Sequence, residues 1–295
     1  MTGLVLYEVR GSTAILTLNR PEQRNSVDAA MTEALRNAMA RFAADPAARV
    51  GIITGAGPVF CAGMDLKAFL DGQGNDILFG TNRFAGFVDA PRSKPVIAAV
   101  NGPALAGGFE IALACDLIVA AESAVFGLPE VGVGIFACAG GPFRFARKIA
   151  PAKALELALT AERIPADEAL ALGLVSSVVE AGALLDTALA LAERIARNAP
   201  LGVAATLTLA RAAEALGERE LWGLSDALWA SVSTSSDAIE GPRAFTEKRA
   251  PAWTGAKQVM LTARMPPPDG IVTEPENPAS GGSRPGSRAI QGIPE

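Results

Sequence analysis

Two glutamates in this chain stand where a carboxylate is costly. Glu110 lies in PALAGGFEIALACD (103–116), an apolar run with no lysine or arginine near it in sequence. Glu130 follows a proline in FGLPEVGVG (126–134), just before a glycine-rich loop. An isolated carboxylate among Ala, Leu, Ile and Phe protonates or finds a partner. Taken alone, Glu130 reads as a solvated loop residue. Paired with Glu110 in one apolar cleft it becomes a second acid/base, and mutual repulsion raises at least one pKa towards neutrality. The pairing gains weight because the chain has 0 histidines. That excludes a Ser-His-Asp triad, a Cys-His pair and histidine-ligated zinc. Proton transfer falls to Glu, Asp, Lys, Cys, water or the chain's 1 tyrosine.

Two glycine-bearing loops could complete such a site. In FCAGMDL (60–66) a glycine precedes a helix start, leaving the amide of Met64 free at a positive helix terminus. In ALAGGFE (104–110), Gly107 and Gly108 let the backbone approach a ligand closely before a second helix. Two amides converging on one point would form an oxyanion hole; otherwise these are two ordinary strand-to-helix turns. Other motifs lead nowhere. GVGIFA (132–137) matches G-x-G-x-x-A but follows FGLPE rather than an early core strand, and no P-loop pattern occurs.

The elements that must hold these residues read as an α/β pattern. Leu4–Arg10 and Ala14–Leu18 alternate as strands, and Asp28 or Ser26 could cap a helix running to about Ala44. Val50–Thr54, Pro95–Val100, Asp116–Ala120 and Gly173–Val179 read as further strands. Helices are expected near Asp65, over Gly107–Ala114, and over 141–150, 151–160, 165–172 and 181–197. Residues 71–82 show little periodicity and read as mobile. Strand–helix alternation argues for parallel pairing. This gives a core over 1–198, a helical region over 199–254 suited to oligomerisation, and a Pro/Gly/Ser-rich tail over 255–295 expected to be disordered.

Composition narrows the class. A net charge of −5 disfavours nucleic acid, and the apolar stretch Val96–Ala121 is broken by Asn101, Glu110 and Asp116, which disfavours a membrane span. The start MTGLVLYEVRG lacks the pattern of a signal peptide. Three cysteines without C-x-x-C spacing favour a reducing compartment, taken as the cytoplasm, and no metal site is expected.

With NRPEQRNSVD (19–28), FCAGMDLK (60–67), KPVIAAVNGPALAGGFEIALACDLIVA (94–120), FGLPEVGVG, AGGPFRFAR (139–147), ALTAERIPADEALALGLVSSVV (158–179) and AFTEKR (244–249) in order, the chain resembles the crotonase superfamily, the enoyl-CoA hydratase/isomerase family. The resemblance implies a β-β-α spiral core with a helical C-terminal region that builds trimers, two of which commonly stack into a hexamer. It implies acyl-CoA thioesters as substrates and no cofactor beyond the coenzyme A they carry. Residue by residue, it implies oxyanion donors at Met64 and Gly107 and catalytic glutamates at Glu110 and Glu130. It also implies coenzyme A contacts at Arg24, Ala62, Asp65 and Leu66, and, from a neighbouring subunit, at Phe245 and Lys248. Gly108, in the second loop, is placed with the substrate-binding residues. IFACAGG (135–141) departs from the family pattern, so Phe136 and Cys138 are expected to reshape the acyl pocket. The implied activity is hydration of a 2-enoyl-CoA; double-bond isomerisation or silent coenzyme A binding are the rival readings.

Overall fold

The computed structural model describes residues 3–256. Its strands are β1 (Val5–Arg10), β2 (Thr13–Leu18), β3 (Val50–Gly55), β4 (Val96–Val100), β5 (Ala104–Leu105), β6 (Leu117–Ala121), β7 (Val125–Gly127), β8 (Ile164–Pro165) and β9 (Ser177–Val179). The helices of the core are α1 (Ala29–Ala44), α2 (Leu66–Ala68), α3 (Gly74–Leu78), α4 (Gly107–Ala114), α5 (Gly141–Lys148), α6 (Pro151–Thr160), α7 (Ala166–Ala171) and α8 (Leu184–Ala196). Three more follow: α9 (Pro200–Ala212), α10 (Glu218–Ser233) and α11 (Ser236–Thr246).

Six strands form one sheet in the order β1-β2-β3-β4-β6-β9, and β5-β7-β8 form a smaller one. β1 and β2 pair antiparallel, and every later neighbour in the large sheet runs parallel, with Thr13 opposite Val50 and Ile97 opposite Leu117. Parallel strands covered on both faces must be apolar at consecutive positions. Ile15, Val50, Ile52, Ile97, Ala99 and Val119 pack against Leu184, Ala188 and Ala192 of α8. The alternate positions Leu16, Leu18, Ile53, Ala98, Val100 and Ile118 enter the main core with Met31, Leu35, Met39 and Phe42 of α1.

Local chemistry explains most boundaries. Asp28, not Ser26, caps α1: its Oδ1 accepts from the Met31 amide at 2.8 Å. Asp65 caps α2 by accepting from the amides of Lys67 (3.0 Å) and Ala68 (3.2 Å). The strand expected over Gly173–Val179 is shorter. Gly173 turns with φ 74, and the Leu174 amide donates back to Ala169, so pairing begins at Ser177. Residues 71–82, expected without regular structure, contain α3, which the fully buried Ile77 pins to the core. The helical region breaks after α9 and again at Ser235, whose side chain caps α11. Gly255, placed at the start of the tail, donates its amide to Asp237 Oδ2 at 3.0 Å; the tail from 257 onward lies outside the described residues.

Candidate active site

The two glycine loops meet. The Leu105 amide donates to the Cys61 carbonyl at 3.0 Å, which ties the loop after β3 to β5. A Cβ on Gly108 would sit 2.0 Å from that carbonyl oxygen, so only glycine permits the approach. Gly63 has φ 93, and a Cβ there would lie 2.9 Å from the Gly107 nitrogen and 2.8 Å from Ala106 Cβ. Met64 thus follows a residue in contact with Gly107, and both Met64 and Gly107 line one cavity of about 680 Å³. Neither amide donates to another protein group among the described residues. Two neighbouring donors of this kind can receive an oxygen as it gains charge. Ala106 adopts φ 52, ψ −130, a conformation costing about 1–3 kcal/mol for a residue with a side chain. Its strain sits at the turn that aims the Gly107 amide.

The carboxylates lie in the same cavity. Glu110, on the first turn of α4, is 3 % exposed, and Glu130 is 7 % exposed in the 3-10 turn Pro129–Val133 that follows β7. Glu110 Oε1 accepts from the amides of Ala139 (2.8 Å) and Gly141 (2.7 Å). Burial still pushes its pKa up to about 7, against the two amides, and the Glu130 carboxylate adds to the rise. Burial raises Glu130 as well, and its buried Oε2 has no hydrogen-bond partner among the described residues. One acid is therefore held in place and half-protonated near neutrality, and the other has an oxygen with unfilled hydrogen-bonding capacity.

The segment 135–141 does more than line the cavity. Its AGG (139–141) repeats the AGG (106–108) that starts α4, and here too it starts a helix, α5. A Cβ on Gly141 would lie 2.9 Å from Glu110 Oε1, so glycine is needed for that amide to reach the carboxylate. Arg144 fixes the loop by donating to the carbonyls of Ala139 (2.9 Å) and Val88 (2.7 Å). The repeated AGG was the available signal for this second pair of amides, and sequence reasoning passed over it.

Ala62, Leu66, Phe136 and Cys138 also line the cavity, with Phe69, Phe79, Arg83 and Phe84 that sequence reasoning did not single out. The Phe84 ring fills the space a side chain at Gly107 would need, 2.4 Å from a Cβ there. Gly108 stands behind the lining as a packing residue. Arg24 and Asp65 are not in the wall. The Arg24 carbonyl accepts from Ala62 at 3.1 Å, and Asp65 pairs with Arg20 at 3.0 Å. Burial works to raise Asp65, but the Ala68 amide and Arg20 outweigh it and hold the carboxyl below its ordinary value. Phe245 is 87 % exposed on α11, and Lys248 follows that helix with φ 54; neither lines the cavity of its own chain. Among the described residues no group of His, Cys, Asp and Glu is arranged to hold a metal.

The family model for enoyl-CoA hydratase/isomerase matches residues 8–257. A carnitinyl-CoA dehydratase of Proteus mirabilis is 44% identical over 252 residues, spanning 83% of this chain and 96% of that protein. Among solved structures, an enoyl-CoA hydratase from Mycobacterium marinum shares 48% identity at a TM-score of 0.82, over 85% of this chain and 99% of that one. A carnitinyl-CoA hydratase from Mycobacterium avium shares 43% identity at a TM-score of 0.69, over 87% and 100%. With the glycine loops and the glutamates in one cavity, and with this likeness running through nearly all the described residues, the chain belongs to the enoyl-CoA hydratase/isomerase family of enzymes, within the crotonase superfamily.

Proposed function

We propose that the protein is a hydro-lyase that adds water across the 2,3 double bond of a 2-enoyl-CoA, or removes it in reverse. The observation that carries this reading is a pair of buried glutamates, one raised to about 7, in the cavity where the Met64 and Gly107 amides are unengaged. The thioester oxygen would accept from both amides and gain charge as the enolate forms, so the donors act mainly on the transition state. Glu110 would take a proton from water as its oxygen bonds to Cβ, and Glu130 would deliver a proton to Cα. One C–O and one C–H bond form, the C=C π bond and one water O–H bond break, and there is no net oxidation or reduction. Relatives named as hydratases and as dehydratases fit one such reversible reaction.

The C-terminal helices carry exposed apolar side chains, Trp222 at 64 %, Trp229 at 69 % and Phe245 at 87 %. These support assembly into trimers or hexamers, in which Phe245 and Lys248 would meet coenzyme A bound to a neighbouring subunit. Arg24 and Asp65 would act on the coenzyme A side through the loops they hold. The cysteines are unpaired among the described residues, in keeping with the cytoplasm, and none of the helices described there is long and apolar enough to cross a membrane. The test is a panel of crotonyl-CoA and longer 2-enoyl-CoA esters, followed by loss of the conjugated thioester absorbance. Hydration of at least one ester is expected. Failure on every ester, together with isomerisation of a 3-enoyl-CoA, would overturn the reading in favour of an isomerase.

A further inference from the structure

The cavity is lined by a cation that no described residue pairs with. Arg83 is the one cationic side chain among the described lining residues, and it forms no ion pair or side-chain hydrogen bond there. Its guanidinium stands 5.9 Å from the centroid of the Phe79 ring, another lining residue. It also borders the 135–139 wall. Burial, then Glu110, push the Cys138 thiol up, and Arg83 is a smaller cause acting the other way. Arg83 therefore lies within electrostatic reach of Cys138, on the cavity along which the acyl group would continue beyond Cβ.

The backbone marks this residue out. Arg83 adopts φ 58, ψ −150, at the edge of a region populated almost only by glycine. Its neighbour Phe84 closes over Gly107, so the turn that strains Arg83 is the turn that shapes the site. Arg83 is exposed, so water reaches its guanidinium, and packing gives no reason for a strained backbone to hold it at the cavity. The arrangement suits a side chain that waits for an anion, because a planar guanidinium binds a carboxylate through two parallel charge-assisted hydrogen bonds.

We propose that Arg83 is a specificity-determining residue that binds a carboxylate at the far end of the acyl chain, so that the preferred esters are ω-carboxyacyl-CoAs. This rests on the acyl-CoA reading above and goes beyond it by naming the substrate's charge. It also separates this chain from relatives named for a carnitinyl group, which ends in a quaternary ammonium. Aromatic faces host such ions, but here Phe79 already has Arg83 beside it, and the like charge repels a second cation.

The experiment measures binding of saturated esters by calorimetry: glutaryl-CoA against pentanoyl-CoA, and adipoyl-CoA against hexanoyl-CoA, with free coenzyme A as reference. At least one carboxyl-ended ester should bind about tenfold or more tightly than its methyl-ended counterpart. Arg83→Gly should collapse that ratio, and Arg83→Lys should keep part of it, as a point charge without the fork. Arg83→Gly relaxes the backbone, so a thermal midpoint no lower than that of the wild type is expected and loss of folding does not confuse the result. Equal binding of both ester types by the wild type would overturn the proposal. So would an Arg83→Gly variant that weakens free coenzyme A and every ester by one common factor, which would place Arg83 on the coenzyme A phosphates. Saturated esters bind without turnover, so failure of the hydratase reading and failure of this one are seen separately.

Discussion

Helix α4 is bounded by two acids, and the protein treats them in opposite ways. At the far end, just past Ala114, Asp116 Oδ1 accepts from Arg211 Nε (2.9 Å) and Nη2 (2.6 Å) while its Oδ2 accepts from the Val96 amide (2.8 Å). It is paired, and it ties α9 to the edge of β4. At the near end, Glu110 has two amides but, among the described residues, no cation in an ion pair, so burial prevails and its pKa rises to about 7. One helix separates a carboxylate that an arginine pairs and that joins elements from one that can exchange a proton at neutral pH. A cation partner ties the one acid into the scaffold, and burial without one raises the other.

The largest expected break in this contrast is in turnover. Glu110→Gln and Glu130→Gln should each lower kcat about a thousandfold, about 4 kcal/mol in barrier, while acyl-CoA binding by calorimetry changes little. Asp116→Asn should leave kcat within about threefold, because its charge joins α9 to the core rather than facing the cavity. Full activity in both glutamate variants would dissolve the distinction between the two ends.

A pH series should show the next effect. The folded protein holds the Glu110 proton more tightly than the unfolded chain, whose carboxyl has its ordinary value of 4.5. The stability this contributes is present below that value and is lost as pH rises towards about 7, a loss of about 3 kcal/mol, with Glu130 acting in the same direction. Urea midpoints at about pH 5 and about pH 8 should therefore differ less in Glu110→Gln than in the wild type. An unchanged pH slope would mean that Glu110 titrates near its ordinary value.

The smallest effect belongs to the paired end. Arg211→Ala should cost about 1–2 kcal/mol in urea denaturation, less than for a fully buried pair because the Arg211 side chain is 31% accessible. If that loss exceeds the pH-linked change at Glu110, the paired acid governs stability more than the unpaired one.

Much of this was legible in the sequence because it is local. Apolar runs covered on both faces gave the parallel strands, and Asp28 and Asp65 announced helix starts by the amides they can accept. Glu110 stood out because nothing near it in the chain offsets its charge. Long-range closure was not legible. Strands β5 and β8 have two residues each, too few for a period, and exist only because β7 lies between them. Asp65 carries the type expected at a ligand site, yet Arg20, distant in sequence, occupies it.

By itself, the sequence determined the list of possible actors. With 0 histidines, acid/base chemistry passes to carboxylates, and glycines at 63, 107 and 108 permit backbone to approach backbone. Only the tertiary structure decided which actors meet. It brought the Gly63 turn against Gly107, and it set the amides of Ala139 and Gly141 on Glu110 from 29 and 31 residues away. It also left Arg211 to Asp116 and, among the described residues, gave Glu110 no cation in an ion pair. The physical reason is that burial and neighbouring charge fix a pKa, and both are properties of the packed chain rather than of any stretch of it.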